Sequence, residues 1–476
     1  MAPGARCKGW RKGRCRCLES GRGRPAMLAP MRIRRSDART LWPILPGPVD
    51  CSSLAARDQG DCMVEDPSGR RAVGALGRRS LLRGLAGAAA LAPLSGCSGE
   101  PESVDLAGAP RAPGTIVSVR QRGWWPAAAS RVVLDLAKVA PAVPIAHDFT
   151  PYRLTYWSTT NGAPVLVSAL VTIPNARPPR GLVLWMHGTN PDRAKSVSGP
   201  SLQEGVAVSA AFAGGGYAVL APDLVGLGVS RGPQAYLYNP STVPVTLDLL
   251  RIAARGMGGL LPAPPRNVFV TGFSQGGHDA AVIHRALEAD PQSPMQVRAT
   301  AAIAGAYDLA GVSIPFALQG RSSGDSLYLG LLALSWSTYH GRPLESVLTA
   351  SAARRVRQTL DGAHAADLDK ALPRNPRDLF RPDFLQAADT GGPHWFLDAA
   401  RQNEAHDWTP KAPYRAYFGD NDVDVTPQDS IRFIQAVNSR GAKAEAVALG
   451  PYTHGESALH AVPRIRGWFD ELTSAA

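Results

Sequence analysis

Four short stretches of this chain carry residue types suited to nucleophilic chemistry. The most telling is Val268-Phe269-Val270-Thr271-Gly272-Phe273-Ser274-Gln275-Gly276-Gly277, an apolar run that enters Gly-x-Ser-x-Gly and leaves as helix-forming sequence. A serine on a sharp strand-to-helix bend sits in strained backbone, so the residues two positions to either side must lack bulky side chains. Gly272 and Gly276 meet that need. A helix starting behind Ser274 would turn free N–H groups and positive dipole toward developing negative charge. The plainer alternative is a Gly-rich turn with a surface serine, and the flanking strand and helix patterns favour the bend.

A serine hydroxyl is a poor nucleophile until a base removes its proton. His454, in Tyr452-Thr453-His454-Gly455-Glu456 beyond the last strand-like run, is expected in a loop and in place to act as that base. The other nine histidines read as surface or structural residues: His278 and His284 lie on the helix after Ser274, His340, His364, His394 and His406 in a helical segment. The acid is sought between serine and histidine, in Phe418-Gly419-Asp420-Asn421-Asp422-Val423-Asp424-Val425-Thr426-Pro427. The pattern Gly, two residues, Asp, two residues, Val selects Asp422, with Val425 expected buried beneath the loop. Asp420 and Asp424 are then loop-capping or solvated, and the alternative for the acidic trio is a Ca²⁺ site. The acid would fix the imidazole tautomer and stabilise the imidazolium. An oxyanion on the attacked group needs two N–H donors, expected from the backbone of Gln275 and from Thr189 in His187-Gly188-Thr189.

The elements that must position these groups alternate as a mostly parallel sheet requires. A strand is expected at Thr115–Arg120 and a helix near Ser130–Ala140. Tyr152–Ser158 and Val165–Ile173 flank the hairpin signal Asn161-Gly162. Further strands are expected at Leu182–Met186, Tyr217–Ala221, Asn267–Thr271, Ala299–Ile303, Tyr414–Gly419 and Ala444–Leu449. Helices are expected at Val245–Arg255, Gln275–Leu287, Pro427–Asn438 and Ser457–Leu472. Between Tyr307 and Pro410 the strand pattern lapses into helical patches, such as Leu327–Trp336 and Leu344–Leu360, and reads as an inserted helical cap. Leu327–Trp336 is apolar nearly all round, either as the lining of an acyl pocket or as a helix packed on the core.

The 476 residues, 45% of them apolar, suffice for a large core. The net charge of +12 is unevenly placed: residues 1–96 hold 18 Lys/Arg and 7 Asp/Glu, leaving 33 against 32 in the remainder. The body is near neutral and shows no basic stripe for nucleic acid. Its cysteines, Cys7, Cys15, Cys17, Cys51, Cys62 and Cys97, all fall in the leader, so the body after Cys97 has neither internal disulfide nor thiolate metal site. Cys15-Arg16-Cys17 is half a metal motif, with no second pair at ligand spacing. Arg78-Arg79-Ser80-Leu81-Leu82, the apolar Gly84–Leu94 and Leu94-Ser95-Gly96-Cys97 follow one another as in a bacterial twin-arginine signal ending in a lipobox. The apolar stretch of 11 residues is short of the ~20 that span a bilayer. Cys97 is therefore expected to carry lipid and anchor an exported, extracytoplasmic protein to a bacterial membrane. Residues 1–62 are expected to be untranslated or a disordered arm, 63–96 the signal peptide and 97–114 a tether. The sheet domain is expected at 115–306 and 411–476, with the cap at 307–410.

On His187-Gly188-Thr189, Ala221-Pro222-Asp223-Leu224-Val225-Gly226-Leu227-Gly228, Gly272-Phe273-Ser274-Gln275-Gly276-Gly277, the Gly419–Pro427 run and His454, the chain resembles the α/β-hydrolase superfamily, and within it bacterial relatives of the secretory lipases. The resemblance covers about His147–Trp468. It implies a mostly parallel sheet flanked by helices, a cap over the site, and ester hydrolysis through an acyl-enzyme without a cofactor. Two other functions compete: a serine peptidase using the same triad, with Arg354, Arg355 or Arg357 to hold a peptide terminus, and a lipid-tethered binding protein with a vestigial site.

Overall fold

The computed structural model describes residues 112–139, 143–199, 203–362 and 371–475. Cys97, the leader and the tether up to residue 111 lie outside them; the last three residues expected as tether are described, and Gly114 N–H donates to the Trp157 carbonyl of the sheet at 2.8 Å. Nine strands form one sheet in the order β1-β2-β3-β5-β4-β6-β7-β8-β9. Strands β1 (Ile116–Gln121), β2 (Phe149–Thr160) and β3 (Ala163–Pro174) are antiparallel, and β3 also runs antiparallel to β5 (Ala218–Pro222). From there β5, β4 (Leu182–Met186), β6 (Asn267–Phe273), β7 (Gln296–Ile303), β8 (Tyr414–Phe418) and β9 (Ala444–Ala448) are parallel. The β2–β3 turn is Asn161-Gly162 with φ of 47° and 76°, the two left-handed residues a tight hairpin demands.

The parallel strands are apolar on both faces because both are covered. Leu182, Leu184 and Met186 of β4 join one buried cluster, Val183 and Trp185 the opposite one. On the first face lie α3 (Asn239–Ala254), α4 (Gln275–Ala289) and α10 (Pro427–Ser439). The second face packs against α1 (Ala127–Leu136), α2 (Gln203–Phe212) and α11 (His454–Ser474).

Between β7 and β8 stand α5 (Ile314–Ala317), α6 (Asp325–Tyr339), α7 (Ala350–Thr359), α8 (Pro382–Thr390) and α9 (Trp395–Gln402). Their apolar residues merge with the first-face cluster. Two expectations are corrected. The helix expected over Leu344–Leu360 is broken: after one turn at Leu344–Ser346, Leu348 bridges to Phe380 and Thr349 caps α7 by accepting from the Ala352 N–H at 3.3 Å. The Thr349 hydroxyl and the two backbone bonds joining 347 and 349 to the 379–381 segment outcompete continuous helix. Likewise, His454 is not in a loop but opens α11. The sequence signal is Thr453-x-x-Glu456, a capping box, in which the Glu456 carboxylate accepts from the Thr453 N–H at 2.9 Å. Among the described residues no helix is long and apolar enough to cross a membrane.

The cap is seated through Trp336, which is fully buried, packs on Phe396 at 4.8 Å and donates its indole N–H to the Leu237 carbonyl at 3.1 Å. Replacing Trp336 by alanine removes a large buried ring and orphans that carbonyl. It should cost ~3–5 kcal/mol, read as a lower urea-unfolding midpoint. A loss below ~1 kcal/mol would show that the cap is seated by other contacts.

Candidate active site

All four functional stretches meet at the carboxyl ends of the parallel strands, where sheets of this type expose their sites. Between β6 and α4 the backbone turns through Ser274 with φ 58° and ψ −117°, a left-handed conformation that a non-glycine residue adopts only under constraint. The bend is held by the Ser274 N–H donating to the Ile303 carbonyl of β7 at 2.9 Å. A Cβ at Gly272 would collide with the Gly276 carbonyl, and one at Gly276 with the Met186 carbonyl of β4. Both clashes are with backbone, so neither position can yield.

His454, presented from the first turn of α11, is 3% exposed. Its Nε2 lies 2.8 Å from Ser274 Oγ and its Nδ1 2.7 Å from Asp422 Oδ2. One tautomer serves both contacts: Nδ1–H donates to the carboxylate and Nε2 accepts from the hydroxyl. Asp422 is oriented in turn, its Oδ1 accepting from the N–H groups of Asp424 and Val425, each at 2.9 Å. The loop bearing the acid is laced to the loop bearing the base, Asp420 N–H donating to the Gly450 carbonyl at 2.8 Å and Asn421 N–H to that of Tyr452 at 3.1 Å. Burial works against an imidazolium at His454, but the adjacent Asp422 carboxylate, seconded by Asp424, outweighs it and the pKa rises above the ordinary histidine value.

The N–H groups of Gln275 and Thr189 donate to no described residue. That of Gly188 is taken by Glu204 Oε1 at 3.2 Å, which also accepts from the Trp185 indole at 2.8 Å. The Thr189 hydroxyl meets the Tyr236 hydroxyl at 2.9 Å. His187 is wedged between loops, its ring nitrogens 2.7 Å from the Gly188 carbonyl and 3.1 Å from that of Asp223. Behind it lies Asp279, whose carboxyl is pushed up to about 7 by burial.

Over Ser274 lies a cavity of about 50 Å³, walled by Leu237, Leu309, Ile314, Leu329, Leu332 and Val425, with Gln275, Ser313, Tyr236, Tyr328 and Asp424 as polar members. The apolar helix Leu327–Trp336 does both of its expected jobs, since Leu329 and Leu332 line the cavity while Ala333 and Trp336 pack into the core. Two expectations for the acidic loop change. Val425 is half-buried and faces the cavity instead of lying beneath the loop. Asp424 is half-buried and engaged: it accepts from Ser322 Oγ and Tyr328 OH of the cap, both at 2.8 Å. Asp420 is exposed. The trio therefore diverges and forms no cation cradle. A separate group, Asp308, Glu404 and His406, brings ligand-type atoms within 4.8 Å of one another. Its carboxylates already cap the first turn of the helical cap through the N–H groups of Gly311 and Ala310.

The remaining histidines stand elsewhere. His278 is buried between the Ala306 carbonyl and Asn239, and burial lowers its pKa to about 4. His284 pairs with Glu288 at 2.9 Å, and His364 lies outside the described residues. Glu204, Asp279 and Tyr236 carry no signal of their own in the sequence, and Tyr328 only as a member of the apolar Leu327–Trp336 run; the fold brings the two tyrosines to the cavity over the serine and the two carboxyl groups to the loops beside it.

No family model matches the chain, and no curated protein matches it. Solved structures do. A hydrolase from Legionella pneumophila subsp. pneumophila str. Philadelphia 1 matches at 20% identity and a TM-score of 0.70, over 75% of this chain and 98% of its own. The rice cell wall degrading esterase LipA from Xanthomonas oryzae, in a ligand-bound form, matches at 22% identity and a TM-score of 0.67, over 76% and 99%. Candida antarctica lipase A in its closed state matches at 15% and 0.55, over 76% and 83%. With its nine-stranded, mostly parallel sheet and serine-bearing elbow, the chain has the α/β-hydrolase fold that these proteins share.

Proposed function

We propose that the chain is a serine hydrolase that cleaves carboxylic esters through an acyl-enzyme on Ser274. The observation that carries this is the continuous run Ser274 Oγ–His454–Asp422, at 2.8 and 2.7 Å, beside two unengaged N–H groups. Ser274 Oγ attacks the ester carbonyl as His454 Nε2 takes its proton. The oxyanion is held by the Gln275 and Thr189 N–H groups, each worth ~2.7–4 kcal/mol. His454 returns the proton to the alcohol oxygen as the C–O bond breaks and alcohol leaves. Water then loses a proton to His454, attacks the acyl carbon and releases the acid, restoring Ser274. The apolar cavity and the esterase and lipase among the similar structures support an ester substrate. At about 50 Å³ the cavity lies well below the ~300–1,000 Å³ of ordinary ligand pockets, which favours short acyl chains.

A peptidase would need a cation for a peptide carboxylate, and no Lys or Arg lines the cavity. Arg354, Arg355 and Arg357 are exposed on α7, and Arg357 is taken by Glu345 at 2.6 and 2.8 Å. A vestigial site accords poorly with a bend kept at positive φ and a base pressed against it. The leader supports a second proposal, that Cys97 is the lipidated first residue of an exported protein anchored to a bacterial membrane.

Five measurements bear on these proposals. The protein should hydrolyse p-nitrophenyl butyrate faster than the palmitate and leave aminoacyl anilides untouched; the reverse on anilides would favour the peptidase. Ser274→Ala should lower kcat by ~10⁴-fold or more and abolish fluorophosphonate labelling, whereas an unlabelled wild type would favour a binding protein. Activity requires neutral His454, so the acid limb of kcat/KM should lie above the ordinary imidazole value of ~6.5. Asp422→Asn removes the charge that stabilises the imidazolium, so the limb should move to lower pH while kcat drops ~10⁴-fold. For the leader, intact protein from cells should carry lipid at Cys97 and lose it in Cys97→Ser, and an unmodified mature N-terminus elsewhere would refute the anchor.

A further inference from the structure

Asp424 touches neither Ser274 nor His454, and acts on the relay only through its charge on the imidazole; it stands two residues beyond Asp422 and at the wall of the same cavity as Ser274. Its backbone N–H is fastened to Asp422 Oδ1 at 2.9 Å, so its distance from the triad is set by the acid's own loop. Its carboxylate is divided between two tasks. Oδ1 accepts both cap hydroxyls, Ser322 and Tyr328. Oδ2 accepts from no described residue, and no Lys, Arg or His among the described residues pairs with the group. Around it the wall is mostly apolar, with Leu329, Leu332 and Val425.

From this placement we propose that Asp424 is a specificity residue, whose free carboxylate oxygen selects esters bearing a hydrogen-bond donor, hydroxyl or ammonium, near the cleaved bond. The proposal rests on the ester-cleaving role of Ser274 and names the substrate class of that site. The physical reason is asymmetry. A wholly apolar substrate strips a carboxylate oxygen of its water and returns nothing, whereas a hydroxyl or ammonium replaces the lost bond. Sites that hydrogen-bond a substrate OH or NH can reject the analogue lacking it by up to ~10⁴-fold, and a half-buried carboxylate should reach the lower part of that range. If Asp424 served only to fasten the cap, its second oxygen would have no effect on which ester is chosen.

The test compares kcat/KM on matched esters by titrating released acid with the full chain. On the acyl side these are ethyl butyrate, ethyl 3-hydroxybutyrate and ethyl 3-aminobutyrate; on the alcohol side, propyl butyrate and 2,3-dihydroxypropyl butyrate. The donor-bearing member of at least one set should be preferred by ~10-fold or more. Asp424→Asn keeps an acceptor for Ser322 and Tyr328 but turns an NH₂ toward the cavity, so this preference should vanish or invert whatever the absolute rate. Tyr328→Phe deletes one cap bond and leaves Oδ2 in place, so it should retain the preference, and it serves as the second variant if Asp424→Asn does not fold. The proposal is overturned if the wild type treats the members of every set alike, if Asp424→Asn slows all of them in equal proportion, or if Tyr328→Phe loses the preference as fully. Turnover of plain esters without discrimination sinks this proposal alone. No turnover on any member, with no fluorophosphonate labelling, sinks the ester reading as well.

Discussion

The structure depends on one bend. At Ser274 the chain passes from the buried strand β6 into α4 through a left-handed residue that costs ~1–3 kcal/mol to hold. It persists because three neighbours leave no alternative: β7 takes its N–H, β4 presses on Gly276 and the elbow's own carbonyl presses on Gly272. The strain lifts a hydroxyl clear of the sheet while keeping the N–H behind it free. Everything else at the site is arranged around that atom.

Two loops that lie close together in sequence then have to arrive at the same point. The loop after β8 and the loop after β9 are tied to each other by backbone hydrogen bonds before either reaches Ser274. This makes acid and base one unit instead of two independently flexible side chains. Hydrogen bonds from neighbouring backbone N–H groups fix the carboxylate, the carboxylate fixes the imidazole, and the imidazole meets the hydroxyl. Buried charge is used sparingly: Glu204 and Asp279 sit behind His187, where burial raises both carboxyl groups toward the neutral form.

Much of this was legible in the sequence because it is encoded locally. Leu182–Met186 is a solid apolar run that can only be a doubly covered strand, Asn161-Gly162 demands a hairpin, and Gly272-x-Ser274-x-Gly276 requires an elbow. The three residues singled out as nucleophile, acid and base are those the fold brings together. What escaped was set by contacts between distant segments. Nothing near Asp424 announces that it will reach the cap, because its partners lie about a hundred residues upstream. The break at Val347–Thr349 was hidden because the 379–381 segment that pairs with it is unremarkable on its own. His454 differs from its expected place in a loop for a local reason: Thr453 and Glu456 cap each other and start the helix at the histidine itself.

The position of His454 at the head of α11 has a mechanical consequence. That helix is rooted by Ala458, Ala461, Val462, Ile465 and Phe469 in the cluster on the far face of the sheet, whereas the cap grows out of the cluster on the near face. Rocking or peeling of the cap thus strains a different set of packed side chains from those that hold the imidazole against the hydroxyl. The cap's hydrogen bonds reach the acid loop instead, through Ser322 and Tyr328 on Asp424, so a swing of the roof would pull on the carboxylate end of the relay while the imidazole end keeps its separate footing.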